Sequence, residues 1–282
     1  MKLGLIGIEN MRYPLQKSLL NNGYKLNILV EKSNNNLYKN CNIFYPNNFN
    51  NFIKESKFIL SKLPNSIKTL NLVKKIQNSE YKNWIDLSIS NSLDVFKINK
   101  ILAKQNISYL DSPISENSKK IKEKNIYSIT SGPKNIYDEC YDIINTYSDN
   151  IYYISEKVGV SNNVILANNI LLAINLLSVA EVSKFLKHDE IDINEALKFI
   201  NTSSGKSYAT MELYPKYILN NNFNYGFSYD LHKNDIIKFL GKRSHLDLND
   251  TYLLKQIFNI YINENNKIHN DMDHIEIVKI IK

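Results

Sequence analysis

The sequence predicts an α/β domain with a parallel sheet, followed by an all-α domain. Three observations lead there. Short apolar runs alternate with helix-patterned stretches over roughly the first 155 residues, the signature of strands joined by crossover helices. One long apolar-periodic segment then covers residues 160–187. Beyond it every patterned stretch has helical spacing.

The elements follow in order. Residues 2–7 (KLGLIG) form a short apolar strand. Residues 10–21 carry Met11, Leu15 and Leu19 on one helical face, with Pro14 tolerable in a first turn. Gly23 stands where a left-handed helix cap is wanted, and 24–30 form a second strand. Further strands are expected at 57–62, 83–87, 107–110, 126–130 and 151–154, with helices near 66–78, 91–105 and 134–146. The helical half runs through 160–187, 192–202, 207–220, 229–240, 249–262 and 272–281. Asparagine runs such as SNNNLYKN and NNFNNF are expected in loops. The pattern changes at Val158–Gly159 without a Pro- or Gly-rich linker, so the expected domains are 1–158 and 159–282, joined by the long helix itself.

Composition narrows the function classes. The chain has 282 residues, 35 Lys+Arg against 28 Asp+Glu, and a formal net charge of +7. A basic balance can mark a nucleic-acid or membrane surface, but no basic–aromatic motif accompanies it, and neither partner is expected. The lysines are scattered among Asn, Ile and Tyr, while Gly and Pro number only 8 and 6, against about 20 glycines at average usage. We attribute this bias to A/T-rich codons; a coding sequence of ordinary base composition would refute the attribution. Cys41 and Cys140 fit no metal spacing, so free thiols and no metal are expected. The start of the chain enters a strand with no leader-like pattern. The most apolar run is interrupted by Asn168, Asn169 and Asn175. A cytoplasmic protein is the expectation.

The first strand–turn–helix unit has the outline of a dinucleotide-binding βαβ motif, whose turn would read G-x-G-x-x-G. Only Gly7 is kept; Glu9 and Arg12 occupy the other glycine places. Glu9 puts a carboxylate where phosphate charge would arrive, while Arg12 would attract it. A βαβ unit that binds no nucleotide is the alternative. Glu31 ends the second strand where a ribose-reading acid would sit and favours NAD, whereas the following Lys32 could meet a 2′-phosphate and favour NADP.

MKLGLIGIENMRYPL resembles the opening of the 3-hydroxyisobutyrate dehydrogenase (β-hydroxyacid dehydrogenase) family, within the 6-phosphogluconate dehydrogenase-like superfamily. The resemblance continues in order through nearly the whole chain. Leu63-Pro64-Asn65 matches a cofactor-side loop. Asp86-Leu87-Ser88-Ile89 resembles D-x-S-T. Asp111-Ser112-Pro113-Ile114-Ser115 resembles the substrate loop D-A-P-V-S-G-G. Gly159 to Asn169 resembles G-x-G-x-x-x-K-x-x-N-N. Ser203-Ser204-Gly205-Lys206-Ser207 and Phe227 to Asp235 resemble two later blocks, the last normally ending in Lys-Asp.

The resemblance implies a Rossmann-like N-terminal domain, a long interdomain helix and an all-α C-terminal domain, in a homodimer or homotetramer built through the C-terminal helices. It implies NAD(P)-dependent oxidation of a small β-hydroxy acid. The cofactor would be held by Gly7, Ile8, Glu9, Asn10, Met11, Glu31, Lys32, Leu63, Pro64, Ser88 and Asn234, with NAD favoured over NADP by Glu31. The substrate would be held by Ser115, Asn169 and Asp235. The departures are equally specific. The family's catalytic lysine falls at Ile165, which can move no proton. The lysine of Lys-Asp falls at Asn234, the glycines after Ser115 are Glu116 and Asn117, and the second glycine before the lysine position is Ser161. Two alternatives stay open: an imine or iminium reductase, a chemistry that tolerates an apolar residue at 165, and a non-catalytic paralogue.

Overall fold

A computed structural model describes residues 1–7, 12–30, 40–77, 80, 82–114, 126–240, 251–263 and 268–281. Two compact units divide inside one helix, between Ile165 and Leu166.

Unit 1 is an eight-stranded sheet. Its strands are β1 (Lys2–Ile6), β2 (Lys25–Leu29), β3 (Cys41–Phe44), β4 (Phe58–Ser61), β5 (Lys82–Asp86), β6 (Ile107–Asp111), β7 (Tyr127–Ser131) and β8 (Asn150–Ser155). They lie in the order β3-β2-β1-β4-β5-β6-β7-β8. The chain winds outward in one direction from β1 through β2 and β3, then returns to β4 and winds the other way. The point between β1 and β4 where the order reverses is where doubly wound folds bind ligands, beyond the carboxyl ends of the strands.

Period-two alternation explains the two buried faces. Leu3, Leu5, Leu26, Ile28, Phe58 and Leu60 pack on one side with Leu15 and Leu19 of α1 (Arg12–Asn21) and with Ile136, Cys140 and Ile143 of α5 (Lys134–Asn145). Ile6, Ile59, Trp84, Ile107 and Tyr109 pack on the other side with residues of α2 (Phe49–Glu55), α3 (Ser66–Val73) and α4 (Ser92–Ala103). Gly23 ends α1 as expected, at φ +81, with the Tyr24 amide donating back to the Leu19 carbonyl at 3.2 Å.

Three features differ from the sequence reading. β7 runs antiparallel to β6, through the pair Asp111–Ser131, so the sheet is mixed, with parallel pairing among β1 to β6 and again between β7 and β8. CNIF forms β3 at the sheet edge, half-buried and only four residues long. NNFNNF is not a loop: Pro46–Asn48 make one 3₁₀ turn and Phe49 begins α2, because Phe49, Phe52 and Ile53 are buried and outweigh the poor helix propensity of their asparagine neighbours.

Unit 2 holds most of α6 (Val160–His188), then α7 (Ile193–Thr202), a π-helix (Ala209–Ile218), α8 (Tyr229–Leu240), α9 (Tyr252–Asn263) and a 3₁₀ segment (His274–Ile280). By length and hydropathy α6 could cross a membrane. Its residues Ile170, Ala173, Leu176, Leu177 and Ala180 are instead packed into the core of unit 2 against Leu197, Leu213, Tyr229 and Ile236, as in a central core helix. The π-helix contains Pro215, which has no N–H to give to a regular α ladder.

Candidate active site

The sheet register lines up a row at the carboxyl ends of the strands. Ile6 pairs with Ser61, Ser61 with Asp86, Asp86 with Asp111, and Asp111 with Ser131. All four polar members are buried, and on β4, β5 and β6 the buried residues Ile59, Trp84 and Tyr109 stand two residues earlier on the same face. Buried polar groups need partners, and these bond to one another. Trp84 Nε1 donates to Ser61 Oγ at 2.7 Å, and Ser61 Oγ donates to Asp86 Oδ1 at 3.1 Å. Tyr109 OH donates to Asp86 Oδ2 at 3.0 Å, and the Ser88 amide to Asp86 Oδ1 at 3.0 Å. Burial pushes the Asp86 carboxyl up from its ordinary value, and these donors pull it partly back.

This network sets the loops above it. The Leu63 amide donates to Ser88 Oγ at 2.9 Å, so Ser88 ties the loop after β4 to the loop after β5. Leu63 is half-buried and Pro64 exposed. Asn65 then caps α3, its side chain accepting from the Lys68 amide at 3.0 Å. At the neighbouring end of β1, Gly7 has φ +70, and a Cβ there would sit 2.5 Å from Leu63 Cδ2 and 2.6 Å from the Lys62 carbonyl. Glycine is thus required twice, by backbone conformation and by space. Gly7, Leu63, Pro64 and Ser88 accordingly come together around the β1–β4 reversal. Ile8, Glu9, Asn10, Met11, Glu31, Lys32 and Ser115 lie outside the described residues.

Asp111 makes a second cluster in unit 1, at the start of α6. Its Oδ2 accepts from the Gly159 amide at 2.9 Å, the Ser161 hydroxyl at 2.6 Å and the Asn162 amide at 3.4 Å. Its Oδ1 accepts from the Asn162 side chain. Ser161 Oγ also reaches the Asp111 carbonyl at 2.9 Å and Ser131 Oγ at 3.0 Å. The carboxylate thus satisfies the otherwise unpaired amides of a helix N-terminus. Burial pushes the Asp111 carboxyl up to about 6, opposed by Ser161 and helped by nearby Asp86. Sequence reasoning does not single out Ser161 and Asn162 as functional. Their signal is a polar pair following Gly159 at a helix start, which is a capping pattern, but abundant asparagine obscures it.

In unit 2, Asn169 and Asp235 meet. Asn169 Nδ2 donates to Asp235 Oδ2 at 2.9 Å, and both residues are buried. Lys238 Nζ donates to Asp235 Oδ1 at 2.9 Å. Asn169 Oδ1 accepts from Asn168 Nδ2 at 3.2 Å, and its backbone carbonyl receives His232 Nε2 at 2.9 Å. His232 is fully buried, and burial drives it down to about 3, so it is a neutral donor; the Tyr261 hydroxyl meets its Nδ1 at 3.2 Å. Asn234 is turned to a different partner, donating to Asp230 Oδ2 at 3.0 Å. Ile165 is buried in α6, 8% exposed, one turn before Asn169.

A doubly wound sheet with a required glycine at its reversal point, followed by a long helix and a helical unit, defines an NAD(P)-binding oxidoreductase fold. Residues 2–155 match the family described as the NAD binding domain of 6-phosphogluconate dehydrogenase, and residues 159–281 match the one described as NAD-binding of NADP-dependent 3-hydroxyisobutyrate dehydrogenase. The chain belongs to the first of these families, within the superfamily of 3-hydroxyisobutyrate dehydrogenase-like oxidoreductases.

Among curated relatives, 2-(hydroxymethyl)glutarate dehydrogenase of Eubacterium barkeri is 25% identical over 176 residues, covering 62% of this chain and 58% of that protein. The 3-hydroxyisobutyrate dehydrogenase of Mycobacterium tuberculosis, solved with L-serine, has TM-score 0.87 at 16% identity over 100% of this chain and 99% of that one. The imine reductase of Myxococcus stipitatus, as a variant in complex with NAD+, has TM-score 0.67 at 14% identity over 100% of this chain and 99% of that one. At such identities the structural likenesses show the fold.

Proposed function

We propose that the chain binds a nicotinamide dinucleotide at the β1–β4 reversal and acts as an oxidoreductase on a small β-hydroxy acid or a related carbonyl. The observation that carries this reading is the packing at Gly7, where a Cβ would collide with Leu63 and the Lys62 carbonyl, so that only glycine lets the end of β1 turn against the loop after β4. A tight glycine turn at this point of a doubly wound sheet is the kind that lets backbone approach a pyrophosphate. Gly7, Leu63, Pro64 and Ser88 would hold the dinucleotide, with Ile8–Met11, Glu31 and Lys32 completing its surroundings, and NAD favoured by Glu31. When bound, the cofactor supplies or accepts the hydride.

The chain's own residues then bind and orient. Asn169, fixed through one N–H to Asp235, offers its second N–H to a substrate oxygen, and Ser115 would hold the substrate carboxylate. Ile165 can neither donate nor accept a proton, so a proton at the substrate oxygen must come from water or from a polar neighbour. That same apolar residue favours the second reading, reduction of an imine or iminium ion. A non-catalytic paralogue that keeps only the binding is the third.

The test is titration with NADH and NADPH, followed through Trp84 emission and melting temperature. Binding is expected with micromolar to low-millimolar affinity; no binding of either at millimolar concentration would sink the oxidoreductase reading. With binding in hand, Ile165→Lys is assayed on 3-hydroxyisobutyrate and 3-hydroxypropionate, and the unmutated chain on cyclic imines. Oxidation gained only in the mutant would show that the natural chain has lost hydroxyacid chemistry. Imine turnover by the unmutated chain would favour the second reading.

A further inference from the structure

The side chain of Asn162 does not cap its own helix. The first amides of α6 are already received by Asp111, whose Oδ2 accepts from Gly159 and from the Asn162 backbone. The Asn162 side chain joins two other elements instead. Its Nδ2 donates to Asp111 Oδ1 at the end of β6. Its Oδ1 accepts at 2.6 Å from the amide of Ser90, in the loop between β5 and α4. All three residues are buried, with Asn162 and Asp111 0% exposed and Ser90 1%.

Both neighbours demand the same orientation of the amide. A carboxylate only accepts and a backbone N–H only donates, so the nitrogen must face Asp111 and the oxygen Ser90. No side chain of similar size serves both partners. Leucine would meet neither, and aspartate would set a second buried carboxyl group against Asp111.

The loop pinned in this way is the one that carries Ser88. Ser88 Oγ accepts from the Leu63 amide, and the Ser88 amide donates to Asp86. The loop is therefore held from the β4 side at Ser88 and from α6 at Ser90. Strand order gives it a place along a bound dinucleotide. β5 lies two strands beyond β1, on the side away from β2. Doubly wound folds read the adenosine ribose from the end of β2 and receive the pyrophosphate at the turn after β1. The nicotinamide half is then left to the β4–β5 side. Ile165, at the position of the family's lysine, stands one turn along α6 from Asn162 on the same helix face.

We propose that Asn162 is a positioning residue for the nicotinamide half of the cofactor. It fastens the loop carrying Ser88 to the first turn of α6, and so sets where that half stands relative to position 165. The inference rests on the reading of the β1–β4 reversal as a dinucleotide site, and it assigns Asn162 no contact with cofactor or substrate.

The test compares Asn162→Ala and Asn162→Gln with the unmutated chain. Two kinds of ligand are titrated by calorimetry. One is the dinucleotide, NADH or NADPH. The other is ADP, which carries the adenosine and the pyrophosphate but no nicotinamide nucleoside. Hydrogen exchange of residues 87–91 is followed without ligand, and melting temperature monitors folding. Asn162→Ala should raise the dissociation constant of the dinucleotide about fivefold or more, the scale of one buried hydrogen bond, and leave that of ADP within about twofold. Residues 87–91 should exchange about tenfold faster, while residues 134–145 of α5 keep their protection. Asn162→Gln keeps both amide groups and should fall between Asn162→Ala and the unmutated chain in both measurements. Should Asn162→Ala not fold, Asn162→Ser, whose hydroxyl is too short to span both partners, carries the same expectation.

A purely structural role predicts that dinucleotide and ADP weaken equally, in step with the fall in melting temperature. That result, an unchanged dinucleotide affinity in Asn162→Ala, or unchanged exchange of residues 87–91 would overturn the proposal and leave the oxidoreductase reading standing. No binding of either dinucleotide by the unmutated chain would overturn both, and the titration of the unmutated chain alone tells that failure from the others.

Discussion

Gly7 shows how much one residue can disclose. The sequence identifies it as the surviving member of a damaged fingerprint; the structure supplies φ +70 and a collision distance of 2.5 Å for any Cβ. Gly7→Ala is expected to destabilise the chain by about 1–3 kcal/mol through a strained left-handed residue and a displaced Leu63, and to abolish NADH binding. Chemical denaturation and cofactor titration check the two effects. Asn169 and Asp235 are legible because their spacing matches a family pattern, and the structure brings them to 2.9 Å. Ser161 is legible only as a lost glycine. Its hydroxyl turns out to bond the Asp111 carboxylate at 2.6 Å, a contact between positions far apart in sequence that no local pattern encodes. The residue that departs from the family's glycine thus does structural work, and Ser161→Gly should lower stability by about 1–3 kcal/mol, measurable by urea denaturation.

Among elements, the alternation of apolar runs with helical spacing locates β1, β2, β4 to β8 and the main helices, since burial on both sheet faces leaves a strong apolar signature. β3 and α2 escape it because asparagine reads as a loop former while Phe49, Phe52 and Ile53 anchor a helix beneath the sheet. The antiparallel turn into β7 is invisible because strand direction leaves no trace in composition.

The element that most depends on chemistry beyond pattern is the start of α6, clasped by Asp111. In the folded chain this carboxyl is pushed up to about 6 by burial, above the value near 3.8 it has when exposed. The folded state therefore holds the proton more tightly. The stabilisation linked to Asp111 is complete below about pH 4 and is lost as the pH rises through about 6, on the order of 3 kcal/mol in all. Asp86 shifts in the same direction. Unfolding free energy measured between about pH 4.5 and 7.5 should fall more steeply for the unmutated chain than for Asp111→Asn, which cannot titrate. Equal slopes would show that Asp111 does not carry the dependence.

For the whole molecule, the resemblance implies a homo-oligomer, and large apolar side chains stand out from unit 2. Phe185 of α6 and Phe199 of α7 are 70% and 73% exposed, side chains that an interface built through these helices would cover. The unmutated chain is expected to elute as a dimer or tetramer in size-exclusion chromatography with light scattering, and Phe185→Asp with Phe199→Asp to elute as a monomer. Saturating cofactor at about 100 times its dissociation constant should add about 2.7 kcal/mol to the unfolding free energy.

One further consequence belongs to the single tryptophan. Trp84 lies fully buried in β5 with its indole N–H bonded to Ser61, and Leu166–Lys282 contains no tryptophan at all. Tryptophan emission, excited at a wavelength the tyrosines do not absorb, thus watches only the sheet, while far-ultraviolet ellipticity is weighted toward the long helices of the other unit. Recording both during one denaturation gives each unit its own optical channel, so that coincident or separate midpoints reveal whether the two melt as one cooperative body, without a label attached to either.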